Sequence, residues 1–249
     1  MFICASTECF PELGPREVLQ QLVDLEYTAV ELTLHETDGW MKPSEVLADL
    51  DRAVQTCGDT HRMHIAALSI DIQATGDDYY KQFAACCKLA KAIKVVTMVV
   101  PSSELGTPFN EEIERLKSMV AIASLEGAVV AMKTTIGCMT QDPDTAAVIC
   151  DNVKGLALAL DPSHYIAGPN QGRNYDKVLK YTQHVHLRDT TKNELQVRVG
   201  QGEVDYGRLV QQLGKEKYSR ALCVHITPSE GVDHHGEMRK MRLLLDSLL

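Results

Sequence analysis

Two stretches in the second half of the chain carry ionisable side chains at spacings suited to moving a proton or holding a cation. Asp161-Pro-Ser-His164 closes the apolar run LALAL, and His184-Val-His186-Leu-Arg188-Asp189 alternates polar and apolar positions. Side chains on a strand repeat every two residues, so His184, His186 and Arg188 share one face while Val185 and Leu187 take the other. Burying such a face is costly unless its groups meet a metal, a substrate or one another. A carboxylate with several imidazoles is a donor set for acid–base chemistry or for a divalent ion. A purely structural role is the alternative: Asp161 capping the next turn, His164 bonded to backbone, His184 a satisfied core residue.

Downstream, Arg198-Val-Gly200-Gln-Gly202 reads as a loop whose glycines permit a tight path and whose arginine can reach an anionic or hydroxyl-rich ligand. It lacks the strand-then-GxGxxG context of a dinucleotide site, and no phosphate-cradling GxxxxGK[ST] occurs. Glu8 and Glu31 end early strands and are candidates to line a pocket. Phe10 and Trp40 are candidate apolar walls, the pair His234-His235 follows the last strand, and His64 reads as structural.

These groups need a frame, and the rest of the chain supplies its period. Strand-like runs at Phe2–Thr7, Ala29–Leu34, His64–Asp71, Val95–Pro101, Val129–Thr134, Leu156–His164, His184–Thr190 and Leu222–Thr227 are mostly rich in Val, Ile, Leu and Ala without strict alternation. That is the pattern of parallel strands covered on both faces. Helical stretches near Pro15–Tyr27, Pro43–Cys57, Asp77–Ile93, Pro108–Glu126, Pro143–Val153, Tyr175–Tyr181, Tyr206–Lys217 and Glu237–Leu248 supply the crossovers such strands require. Pro15, Pro43 and Pro108 suit first turns, and Asp142-Pro143 suits an N-cap pair. The count and the length of 249 residues predict a (β/α)8 TIM barrel in one domain, 1–249, with a doubly wound open sheet as second choice. Polar groups at the C-terminal ends of the later strands fall where such barrels place their active sites.

Composition narrows the function classes. With 45% hydrophobic residues, no long apolar run and no basic, apolar leader in MFICASTECF, the chain is expected to be a cytoplasmic globule without a membrane segment. Eight scattered cysteines fit free thiols. A net charge of −9 argues against a nucleic-acid partner and for a small polar substrate. The leucine-rich end of the chain must pack on the barrel or on a second copy, so a homo-oligomer is possible.

DPSH after strand six, HVHLRD on strand seven and RVGQGEVDYGRL beyond it resemble the sugar phosphate isomerase/epimerase family of xylose isomerase-like TIM barrels. Val30-Glu31-Leu32 and Gly137-Cys-Met-Thr140-Gln-Asp-Pro143 extend the likeness over most of the chain. The resemblance implies 1,2-proton transfer on a small polyhydroxy carbonyl substrate, a carbohydrate. It implies a divalent metal (Mn, Zn or Mg) held by a strand-five Glu, a strand-six Asp, a strand-seven His and a strand-eight Glu. Asp161 and His186 match two of these positions, His164 matches a substrate-contacting histidine, and Arg198 a substrate-binding arginine. Lys133 and His225 stand where the two glutamates belong. The expectation is therefore a non-standard site, with Asp161, His186 and His225 as metal ligands and Lys133 and His225 as catalytic acid and base. Glu31, His164, Arg188 and Arg198 are expected to bind substrate. A metal-free site is the alternative, because an ammonium near a dication repels it and can replace it. A non-catalytic sugar-binding pseudoenzyme and a lyase or aldolase working through a Lys133 Schiff base also fit these residues.

Overall fold

The computed structural model describes every residue from Met1 to Leu249. Its centre is a closed barrel of eight parallel strands in sequence order: β1 (Phe2–Ser6), β2 (Ala29–His35), β3 (His64–Asp71), β4 (Thr97–Val100), β5 (Val129–Lys133), β6 (Ala157–Leu160), β7 (Thr182–Leu187) and β8 (Ala221–Val224). β8 closes on β1 through pairs such as Cys4 with Cys223. The helices are α1 (Pro15–Asp24), α2 (Pro43–Ala48), α3 (Leu50–Gly58), α4 (Gly76–Ala92), α5 (Phe109–Leu125), α6 (Pro143–Asn152), α7 (Ser163–Ile166), α8 (Tyr206–Lys215) and α9 (His234–Asp246). None is long and apolar enough to cross a membrane.

The expected elements are present, with local departures that have physical causes. The helix expected over 43–57 is two helices, because the Asp49 carboxylate caps α3 through the Arg52 N–H at 2.9 Å while its own backbone leaves the helical region. The segment Asp176–Tyr181 is 3₁₀ rather than α, and the sixth strand stops at Leu160, so DPSH is loop and short helix. In α9 the buried stripe is Met238, Met241 and Leu245, whereas Leu243 is exposed.

Sixty buried residues, including Leu22, Leu32, Phe83, Met98 and Leu116, form one apolar core. Two small apolar clusters stand apart from it: Ala67, Val99, Ala131 and Ala159 on β3 to β6, and Cys4, Ala29, Ala221 and Cys223 where β8, β1 and β2 meet. Alternation makes these the inward positions of their strands. Barrel interiors are ordinarily filled by bulky branched residues. Here small side chains leave room inside for Glu31, His184 and His186, each fully buried.

The loop after β7 is tied down by Asp189, whose carboxylate accepts the N–H groups of Gly200 at 2.8 Å and Gly202 at 3.0 Å. A Cβ on Gly202 would collide with that carboxylate and stand 2.6 Å from the Thr190 carbonyl oxygen. Gly202→Ala is expected to cost about 1–3 kcal/mol, the usual range for overpacking. A urea midpoint equal to that of the parent would show that Asp189 does not hold this loop.

Candidate active site

The ends of β5 to β8 bring Lys133, Asp161, Arg188 and His225 to one side of the barrel, joined there by Glu8 from the 3₁₀ turn after β1. Asp161 is fixed from below and beside: its backbone N–H donates to Thr134 Oγ1 at 2.8 Å, and the N–H of Ser163 donates to Oδ1 at 3.0 Å. Its other oxygen, Oδ2, accepts from Arg188 Nη2 at 3.1 Å. The same guanidinium nitrogen bonds Nδ1 of His225, whose Nε2 bonds the Glu8 carboxylate. Glu8 also pairs with His35 Nδ1 at 3.2 Å, and His35 Nε2 lies 3.3 Å from Ser69 Oγ. The result is one continuous chain of polar contacts, Asp161–Arg188–His225–Glu8–His35.

The charge states follow from these neighbours. Burial works against ionising Asp161, but the Arg188 guanidinium and the bond from Ser163 outweigh it and hold the carboxyl well below its usual range. Glu8 is likewise held low, against burial, by the Lys133 ammonium and by His225. Burial, assisted by Arg188, pushes His225 and His164 down to about 4, so both rings are neutral at neutral pH. The backbone N–H of Ile136 donates to His164 Nδ1 at 3.2 Å, which puts the ring proton on Nε2, 3.6 Å from Asp161. Lys133, at the end of β5, accepts the Thr140 hydroxyl at its backbone carbonyl, 2.8 Å, while its ammonium makes no hydrogen bond.

The expected ligands Asp161, His186 and His225 do not converge on a point. Asp161 and His225 are turned onto the Arg188 guanidinium, and His186 Nε2 lies 2.8 Å from Glu31 Oε2, one layer deeper. His186 and His225 meet only as stacked rings, 4.8 Å apart. The Arg188 cation already sits between two of the expected ligands, Asp161 and His225, so these residues do not fit a divalent ion there. Glu31, expected at the substrate, is fully buried beneath the mouth between His184 and His186. Arg198 is exposed in a neighbouring cleft of about 290 Å³ with Gln196, Ser229 and His234. Phe10 and Trp40 are not walls of the mouth. Phe10 packs edge-on against His234, and Trp40 Nε1 bonds the Pro15 carbonyl beneath a cleft along α1 and α3. His234 itself bonds the Cys9 carbonyl at 2.6 Å.

His35 was not foreseen; its position at the end of β2, two pairs beyond inward-facing Glu31, was the available signal.

The family model described as xylose isomerase-like TIM barrel matches residues 19–246. No curated protein matches the chain. Among solved structures, an L-ribulose 3-epimerase superposes with a TM-score of 0.76 at 13% identity, covering 100% of this chain and 94% of that one. A xylose isomerase-like TIM barrel protein from Mycobacterium smegmatis in complex with magnesium gives 0.76 at 14% identity, covering 100% and 98%. The IOLI protein with a bound zinc atom gives 0.72 at 18% identity, also covering 100% and 98%. At these identities the likeness is one of fold.

Proposed function

Because the chain belongs to the xylose isomerase-like TIM barrels, we propose that it is a sugar isomerase or epimerase whose cationic side chains do the work of the family's metal ion. The substrate is a small polyhydroxy carbonyl compound, bound at the mouth beside Lys133, Arg188 and His164. The observation that carries this reading is the Arg188 guanidinium held between Asp161 and His225, at the end of the barrel where β5 brings Lys133.

The chemistry is removal of a proton from the carbon next to the carbonyl, giving an enediolate, and return of a proton to the neighbouring carbon or to the opposite face. Fixed positive donors in a water-poor site stabilise the developing oxyanion. In this reading Lys133 and Arg188 supply them. When the substrate oxygen takes the Arg188 hydrogen bond, Nδ1 of His225 is released to accept the proton, while Glu8 keeps the other ring nitrogen oriented. His164, a neutral Nε2–H donor, orients a hydroxyl.

The test is exchange of carbon-bound hydrogen in deuterated water, followed by NMR over ketopentoses, ketohexoses and their phosphates. The parent protein is expected to exchange one hydrogen next to the carbonyl, and Lys133→Met to do so about 10²-fold more slowly. Both ring nitrogens of His225 are engaged, which favours a second reading, ligand binding without catalysis. Saturable binding of a sugar with no exchange would select that reading over the first.

A further inference from the structure

Beneath the mouth lies a second constellation that the proposed reaction does not use. We infer that Glu31, His184, His186 and Cys223 form a closed, four-ligand site for a zinc-type divalent ion inside the barrel.

One donor atom from each residue lies within 4.8 Å of every other, and all four residues are buried. Tetrahedral zinc, with bonds of roughly 2.0–2.3 Å, sets its donors a little under 4 Å apart, so small rotamer adjustments suffice. Three barrel strands supply the ligands, β2, β7 and β8: Cys223 on β8 is in register with His186 on β7, and on its other side with Cys4 of β1, the strand that lies between β8 and β2. A frame of that kind holds side chains more precisely than a loop does.

The polar groups are not satisfied by one another. Glu31 Oε1 and His184 Nε2 are buried without a hydrogen-bond partner. His184 Nε2 lies 2.9 Å from Glu31 Oε2 at an angle that makes no bond, while His186 Nε2 lies 2.8 Å from the same oxygen. Two imidazole nitrogens crowding one carboxylate oxygen, with the second oxygen orphaned, is costly in a dry interior. An ion at their centre would satisfy both orphans. Its two positive charges would be cancelled by the carboxylate and the thiolate, leaving the interior neutral.

The donor types choose the metal. Two imidazoles, a thiolate and a carboxylate suit zinc, or cobalt as its spectroscopic substitute, and suit magnesium poorly. Four protein ligands leave no position open for substrate, which marks the ion as structural. It would fill the part of the barrel where Cys4, Ala29 and Ala221 leave space. A cavity of about 170 Å³ at the opposite end of the barrel is lined by His64, Gln183, Arg220 and His184 itself.

The inference does not depend on the proposed reaction, and its readout is metal rather than turnover. Untagged protein produced with zinc is expected to hold about one equivalent after desalting, as a closed site with folding-linked affinity should. Protein produced with cobalt should show a thiolate-to-cobalt charge-transfer band in the near ultraviolet and the intense visible bands of a tetrahedral ion. That spectrum tests the site without any substitution. Cys223→Ser should abolish the charge-transfer band and His184→Gln should lower metal content at least ten-fold, whereas Asp161→Asn should leave both unchanged. Protein that takes up neither ion would overturn the inference. So would cobalt spectra lacking the thiolate band, or metal lost with Asp161→Asn and kept with Cys223→Ser.

Discussion

Asp161→Ala is expected to destabilise the protein by about 3–5 kcal/mol, the range for removing one partner of a buried ion pair. Arg188 is only 8% exposed, and its Nε is already buried without a partner. Without Asp161 the guanidinium would keep only the bond to the neutral His225 ring, and the Ser163 N–H and hydroxyl would lose their acceptor. The loss should appear as a lower urea midpoint at constant slope, since the denatured state is not altered in kind. The decisive comparison is the double variant Asp161→Ala, Arg188→Met. It removes the stranded cation as well, and should recover much of the loss, because a buried ion pair is often no more stabilising than an apolar replacement. Equal costs for the single and double variants would mean that Arg188 draws its stability from elsewhere, and the role given to the guanidinium at the mouth would fall with it.

The frame was legible because the bulk of the chain is spent on the outer faces of the strands. Val30, Leu32 and Leu34 on β2, or Val185 and Leu187 on β7, carry the apolar periodicity that pairs strands with helices. The inward positions gave a weaker signal: Ala67, Ala131 and Ala159 are too small to announce a face. At the site, alternation correctly put His184, His186 and Arg188 on one face. It could not say which of them stands level with His225. That depends on register between β7 and β8, where His186 pairs with Cys223 and Leu187 with Val224. Arg188 is therefore level with His225, and His186 sits one layer down beside Glu31. A two-residue offset along a strand decides whether an imidazole faces a substrate or a sealed interior, and nothing in a single sequence records the offset.

The arrangement of neutral rings between fixed charges also predicts a steep loss of stability in acid. His164 and His225 titrate at about 4 in the folded protein, mainly through burial and the facing Arg188, against about 6.5 in an unfolded chain. A base whose folded pKa is depressed binds its proton more readily when unfolded. The stability it contributes is therefore complete above pH 6.5 and drains away as the pH falls towards 4. A shift of this size is worth about 3 kcal/mol for a single histidine at pH 4. Glu8, Asp161 and Glu31 act in the same direction further down. Their folded pKa values are depressed, so their contributions persist until the pH drops below the ordinary carboxylate range. Urea titrations at pH 7, 5.5 and 4.5 should thus show falling midpoints while Glu8, Asp161 and Glu31 are still ionised. His164→Gln should flatten the profile between pH 6.5 and 4.5, because an amide cannot take the proton. A flat profile in the parent protein over that window would mean that the two rings are not held neutral, and that a charge can be accommodated beside Arg188. Such a mouth would have room for a dication as well, and the case for Arg188 in place of the family's metal would be lost.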